Sequence, residues 1–136
     1  MPEPRETLSA ALESWNAGDL AGYLQLYHDD IRIYGIGHEP LGPAEVKAFY
    51  DDFWAAFPNP SLVFHDVLWS GDTATVRFST GGRHSGPFMG VPATGNEVAL
   101  SGITTMRFED GRCIERHTCA DLLGLMVQLG VIPAPA

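Results

Sequence analysis

The first part of the chain carries hydrophobic residues at the spacing of amphipathic helices. A first helix is predicted to begin near Pro4, which suits a first turn, and to end at Asn16-Ala17-Gly18. A second, short helix is predicted to follow Asp19 as its N-cap, and a third begins at Gly42-Pro43 and ends before Pro58. The three apolar stripes are Leu8, Ala11, Leu12 and Trp15, then Leu20, Tyr23, Leu24 and Tyr27, and finally Val46, Phe49, Tyr50, Phe53 and Phe57.

From Leu62 onward apolar positions alternate with polar ones, which indicates strands. Asp110-Gly111 is a strong hairpin signal, whereas the glycine-rich stretch 86–95 predicts a structured connection and not a central strand. The predicted strands are 31–34, 62–69, 73–83, 97–108 and 112–121. A closing helix is predicted from the stripe Leu122, Leu125, Met126 and Leu129.

Helices that precede an antiparallel sheet predict an α+β fold in which the curved sheet wraps around the N-terminal helices. Such a cone leaves a mouth that can admit a small apolar ligand. With 136 residues, of which 45% are hydrophobic, the chain is expected to form a single domain spanning 1–136.

Charge argues against two classes of partner. The chain has 8 basic and 17 acidic residues, for a net charge of -9. Phosphate binding requires clustered lysines and arginines, whereas this chain has one lysine and scattered arginines. We therefore expect neither nucleic acid nor an anionic membrane surface as a partner. The chain also lacks a long apolar run and an apolar segment near its start, so neither a membrane span nor secretion is expected.

The two cysteines, Cys113 and Cys119, are predicted to lie on one face of a strand, about 20 Å apart at ~3.3 Å per residue. They are therefore not expected to form a disulfide with each other, and reduced thiols favour a cytoplasmic location. No metal site is predicted, because the five histidines show no HxH or HExxH spacing and the cysteines form no CxxC.

The second half of the chain resembles the SnoaL-like polyketide cyclases, within the nuclear-transport-factor-2-like superfamily. The matching segments are GRHSGPFMGVPATGNEV at 82–98, FEDGR at 108–112, ERHTCAD at 115–121 and QLG at 128–130. Helix order and strand order also agree, so the resemblance covers about residues 5–130. It implies a cone-shaped α+β barrel with an interior cavity, in a homodimer. It also implies an intramolecular aldol ring closure on a polyketide ester without metal or organic cofactor.

The resemblance implies an Asp as general acid/base, and the matching position is Asp121. Asp121 also has a purely structural interpretation, as the N-cap of the closing helix. His117 shares strand parity with Asp121 at about 13 Å, a separation suited to two ends of one ligand. His84, His117 and Asp121 are the predicted catalytic residues. The residues predicted to bind substrate are Tyr34, Trp54, Phe88, Met89 and Thr104.

Two alternatives remain open on the sequence. The first is a non-catalytic binding protein for an apolar metabolite, favoured because the predicted strand 97–108 carries no histidine that could assist Asp121. The second is a related isomerase or epoxide hydrolase in the same cavity. That reaction requires a second carboxylate, such as Glu115 or Asp66, to face the cavity near Asp121.

Overall fold

Five strands form one curved, unclosed sheet in the computed structural model, which describes residues 2–134. The elements in chain order are α1 (Pro4–Asn16), α2 (Leu20–Leu24), β1 (Tyr27–Tyr34), α3 (Pro43–Ala56), β2 (Ser61–Ser70), β3 (Thr73–Arg83), β4 (Glu97–Glu109), β5 (Arg112–Ala120) and α4 (Leu122–Gln128). The strand order across the sheet is β1-β5-β4-β3-β2. The predicted α+β architecture is confirmed, while the predicted domain bounds, 1–136, extend past the described residues at both ends.

The sheet is antiparallel except where β1 pairs in parallel with β5. This pairing changes the end of the second helix. Its predicted stripe ran to Tyr27, but α2 ends at Leu24 and Tyr27 begins β1. The backbone N–H of Cys113 donates to the carbonyl of Leu26 at 2.8 Å. Backbone groups that would extend α2 are therefore used in the pairing of β1 with β5.

Side chains of the sheet alternate between a buried inner face and a more exposed outer face. On β3, for example, Val76 and Phe78 are buried, whereas the intervening Arg77 is exposed. The inner residues belong to one core together with buried residues of α1 and α3, such as Trp15 and Phe53. The core therefore lies between the helices and the concave side of the sheet.

A β-bulge in β5 reverses the parity of the strand near its start. Arg107 pairs with Glu115 but Phe108 pairs with Cys113, so Ile114 is an extra residue. The bulge turns Cys113 inward, where it is fully buried, while Cys119 is exposed. The prediction that both cysteines share one face was therefore wrong, whereas both thiols are indeed free.

The glycine-rich connection between β3 and β4 packs against the end of α3. The backbone N–H groups of Ser85 and Gly86 both donate to the carbonyl of Ala56, at 2.9 and 3.2 Å. A short bridge between Phe88 and Val91 folds the connection back on itself. Within residues 2–134, no helix is long and apolar enough to cross a membrane.

Candidate functional site

The buried side chain of Arg116 forms the polar centre of the core. It is 8% exposed, and the bulge of β5 places it on the inner face of the sheet. Its Nη1 donates to the hydroxyls of Tyr27, Tyr50 and Tyr23, at 2.6, 3.1 and 3.2 Å. Its Nε lies 2.9 Å from the hydroxyl of Thr104. The guanidinium thus joins residues from α2, β1, α3, β4 and β5 into one cluster, which we call the arginine cluster.

The three tyrosine hydroxyls of the arginine cluster form a closed triangle. The oxygen of Tyr23 lies 2.8 Å from that of Tyr27 and 3.0 Å from that of Tyr50, and Tyr27 lies 2.7 Å from Tyr50. Burial raises the pKa of Tyr23 and of Tyr27 above the usual value for tyrosine. Both phenols therefore stay neutral, while the guanidinium keeps its charge.

Carboxylates lie away from the arginine cluster. All 17 acidic residues fall within the described part of the chain; sixteen are exposed, and Glu115 is half-buried. Glu115 interacts on the outer face with Arg107, at 3.4 Å. The positive charge of Arg116 is therefore balanced by hydroxyl dipoles and by no carboxylate among these residues.

The inner face becomes less buried toward the end of the sheet where β4 begins and β5 ends, and we call this end the mouth of the cone. Successive inner cross-strand pairs are Met106 with Arg116, Thr104 with Thr118, and Gly102 with Ala120. The first pair is buried, whereas Gly102 and Ala120 are half-buried. The buried ring of Phe78 packs at this end: its centroid lies 5.8 Å from the guanidinium carbon of Arg116, and a Cβ at Gly102 would lie 2.8 Å from its Cζ. Arg116 therefore lies two inner pairs away from the mouth.

Asp121 caps α4, as the structural interpretation of the sequence predicted. Its carboxylate accepts a hydrogen bond from the N–H of Gly124 at 2.8 Å. The side chain is exposed and borders a groove of about 390 Å³ on the outer face of the sheet. The groove is also lined by His65, Arg77, Ser79, Ser101, Ile103 and Cys119, and by Phe78, Gly102 and Ala120 at the mouth of the cone.

His117 and Tyr34 also lie on the outer face. Their rings stack with centroids 4.6 Å apart and nearly parallel planes, at 7°. His117 Nε2 lies 2.9 Å from a carboxylate oxygen of Glu115, and this hydrogen bond lowers the pKa of Glu115. Strand parity therefore places His117 on the side of the sheet that carries Asp121, away from the arginine cluster.

His84 is fully buried at the end of β3, with its ring centroid 5.4 Å from that of Phe57. Its Nδ1 accepts the backbone N–H of Thr94 at 3.1 Å. A neutral imidazole that accepts at Nδ1 carries its proton on Nε2. This Nε2 is buried and has no hydrogen-bond partner among the described residues. His84 therefore presents an unused donor to the interior.

The predicted substrate-binding residues lie in different parts of the structure. Thr104 is buried within the arginine cluster, and Phe88 is buried against α3. Trp54 is half-buried, with its Nε1 buried and unpartnered among the described residues. Met89 is 63% exposed on the glycine-rich connection, and Tyr34 lies on the outer face. Whether these residues bind substrate stays a prediction.

Neither Arg116 nor the three hydroxyls around it are predicted as site residues from the sequence. The tyrosines were predicted to be core residues, which they are, but their polar ends point to one another. Arg116 stands between Glu115 and His117, so no local pattern marks it as a residue of the inner face. In residues 2–134, no three His, Cys, Asp or Glu side chains converge in a way that could hold a metal ion.

Residues 5–129 match the family model described as SnoaL-like polyketide cyclase. No curated protein matches the chain. Solved structures that resemble it include AclR from Streptomyces galilaeus, proposed to be a hydroxylase, with 26% identity, a TM-score of 0.87, and coverage of 98% of this chain and 84% of AclR.

Two further neighbours show the same architecture. IdmH from Streptomyces antibioticus, proposed to be a polyketide cyclase, is 29% identical with a TM-score of 0.78, covering 94% of this chain and 99% of IdmH. TsrD from Streptomyces laurentii is 28% identical with a TM-score of 0.82, covering 94% of this chain and 95% of TsrD. Family match, strand order and helix order agree along nearly the whole chain, which therefore belongs to the SnoaL-like polyketide cyclase family.

Proposed function

We propose that this protein catalyses a cofactor-independent, aldol-type ring closure on a hydrophobic, carbonyl-bearing small molecule held between the helices and the sheet. The observation that carries the proposal is the arginine cluster. Its charged and hydroxyl donors lie beside aromatic side chains in a region shielded from water. Such a setting strengthens the interaction of a fixed donor with a developing negative charge.

The reaction requires a proton transfer and one new bond. A base removes a proton from the carbon next to a carbonyl group, and the resulting enolate carbon attacks a second carbonyl carbon of the same molecule. The oxygen of that second carbonyl takes up a proton and becomes a hydroxyl, so no atom is lost. The arginine cluster would stabilise the negative oxygen that forms in either step.

Asp121 remains the predicted acid/base, and His84 and His117 remain its predicted helpers. The tautomer of His84 suits a hydrogen-bond donor more than a base, because Nε2 carries the proton. Asp121 is exposed at the end of β5, so its action on an interior ligand requires that ligand to reach past the mouth of the cone.

The role of Asp121 is tested with Asp121→Asn. Asparagine also serves as an N-cap, so α4 should remain intact while acid/base action is lost. We expect turnover of a linear polyketide ester that the native protein cyclises to fall by about 10²–10⁴-fold. The ring-closed product is measured by mass spectrometry against the spontaneous reaction.

Asp19→Asn provides a matched control. Asp19 caps α2 by accepting from Gly22 N–H at 2.9 Å, the same contact that Asp121 makes with Gly124. The control should retain native turnover. Full activity of Asp121→Asn, with an unchanged melting temperature, would show that Asp121 is not the acid/base.

Non-catalytic binding of an apolar metabolite is the second candidate. It is favoured by the position of every carboxylate outside the buried interior and by the use of Asp121 as a helix cap. Binding of a ligand without any acceleration of ring closure would support this candidate over catalysis.

The isomerase or epoxide hydrolase alternative requires a second carboxylate in the interior. Asp66 instead lies on the outer face, 2.7 Å from Arg77, and Glu115 pairs with Arg107 and His117 on the same face. Both carboxylates therefore lie outside the interior, as Asp121 does, which counts against a two-carboxylate reaction in the interior. The differing reactions proposed for AclR and IdmH are consistent with one cone serving several chemistries.

Homodimerisation, which the family resemblance implies, is proposed to use the outer face of the sheet. This face exposes Val63 and Ile103, which are 48% and 52% exposed. Burial of such side chains against a second copy would remove apolar surface from water. The cytoplasmic location stays a prediction from the free thiols.

A further inference from the structure

Arg116 carries a buried positive charge without an anionic partner. Hydroxyl groups supply dipoles around its Nη1 and Nε, but no carboxylate among residues 2–134 approaches it. Removing a cation from water is costly unless an opposite charge is placed beside it. The cluster therefore has an unmatched charge facing the interior.

The guanidinium also has one nitrogen that is not used. Nη1 and Nε make hydrogen bonds, whereas Nη2 donates none to the described residues. Nη2 is also not among the unpartnered atoms that are sealed from solvent. Nη2 is therefore the guanidinium nitrogen that remains for a ligand.

Every buried polar side-chain atom left without a partner in the described residues is a donor. These atoms are Nε1 of Trp15, Nε1 of Trp54 and Nε2 of His84. Trp15 adjoins the arginine cluster, since its ring centroid lies 4.7 Å from that of Tyr23. The buried atoms without a partner among the described residues are thus donors, which favours a ligand that supplies acceptor oxygens.

We propose that the interior binds the anionic oxygen of a small apolar molecule, a carboxylate or an enolate, at Nη2 of Arg116. Phe78 lines the approach to the guanidinium and would contact the apolar body of the ligand. This inference deepens the proposed function by naming the class of molecule that the same interior site accepts.

The test compares an anion with a neutral molecule of the same shape and adds a second, enolate anion. Binding of 2-naphthoate, its neutral analogue 2-naphthamide, and the enolate of dimedone is measured by calorimetry at pH 8. A charge-assisted contact predicts that at least one anion binds about tenfold or more tightly than 2-naphthamide. Preference for naphthoate identifies a carboxylate site and preference for dimedone an enolate site. Equal affinity of all three, or no binding by either anion, overturns the inference.

Substitutions test whether the preference for an anion depends on Arg116. Arg116→Met should abolish the preference for the anion, and Arg116→Lys should retain part of it. Arg107→Met is the matched control, because Arg107 lies on the neighbouring strand with its side chain on the outer face. The control should keep the native preference. An undiminished preference in a folded Arg116→Met protein contradicts the proposal.

If Arg116→Met does not fold, the contact is tested in the native protein by nuclear magnetic resonance. The Nε–H signal of Arg116, assigned by its absence in Arg116→Lys, should shift when the preferred anion is added and stay in place with 2-naphthamide. An unchanged signal at saturation with that anion overturns the inference. These are binding measurements, so a protein that binds the anion but closes no ring supports this inference while the proposed function fails.

Discussion

Cys113 and Arg116 lie three positions apart on β5, and both face the interior because the bulge lies between them. Burial raises the pKa of the Cys113 thiol to about 12, an effect that the nearby Arg116 charge only partly offsets. A raised thiol pKa leaves little thiolate near neutral pH, and thiolate is the reactive form. Cys113 is thus a packing residue whose chemistry is suppressed by the fold.

The suppression of Cys113 is tested in Cys119→Ser, where Cys113 is the sole remaining cysteine. At pH 8 the folded variant should react with a disulfide reagent far more slowly than a free thiol, and it should react fully in guanidinium chloride. The released chromophore reports the rate. Reaction of the folded protein at the rate of a small-molecule thiol would contradict a buried, protonated Cys113.

Residue-level prediction succeeded where the signal was local. The capping interpretation of Asp121 required only an Asp before an apolar helix, and the structure confirms it. Arg116 was missed because the residues of opposite parity, His117 and Asp121, were predicted to face the cavity. The three tyrosines that surround Arg116 come from α2, β1 and α3, and no local pattern predicts that their hydroxyls meet.

At the scale of elements, turns and connections carry most of the information that the sequence provides. Asp110 and Gly111 both adopt positive φ, 54° and 77°, as their hairpin position requires. The parallel pairing of β1 with β5 was not predicted, because a strand's own pattern does not identify a distant partner. The connection between β3 and β4 was predicted to be structured. In the structure it packs against the end of α3.

Within this connection, the backbone of Gly86 approaches α3 closely. A Cβ at this position would lie 2.5 Å from the carbonyl oxygen of Ala55, in the last turn of α3. Gly86→Ala must therefore displace backbone, and we expect the free energy of unfolding to fall by about 1–3 kcal/mol. Urea titration measures the change.

Gly37→Ala is the control for this prediction. A Cβ at Gly37 would meet only the carbonyl oxygen of Glu39, at the ordinary distance of 3.7 Å. Its stability should stay within about 0.5 kcal/mol of the native protein. An equal loss in both variants would show that the connection does not depend on close approach to α3.

At the scale of the whole molecule, the two faces of the sheet carry different groups of candidate site residues. The inner face holds the arginine cluster, while the outer face carries His117, Asp121 and a groove beside Ile103. Which of these residues can act on a ligand depends on the face of the sheet that the ligand reaches. The proposed dimer would use this outer face, so His117 and Asp121 would lie at or beside its interface.

The dimer is tested with Ile103→Glu, which places a charge at the centre of the outer face. Light scattering should show the mass of two chains for the native protein and of one chain for the variant, because burying an unpaired carboxylate is unfavourable. Leu123→Glu, at a residue 57% exposed on α4, should remain dimeric. A native protein with the mass of one chain rules out the proposed dimer at the concentration measured.

The parallel pairing of the first strand with the last also determines when the site can form during synthesis. The hydrogen bonds from Arg116 to Tyr23, Tyr27 and Tyr50 span 93, 89 and 66 positions of the chain. Contacts between such distant positions form slowly, because a long loop must close first. On the ribosome, the tyrosines emerge long before their arginine. The interior site therefore assembles only when almost the whole chain has been made, and a chain interrupted before β5 would leave the tyrosine hydroxyls without their cation.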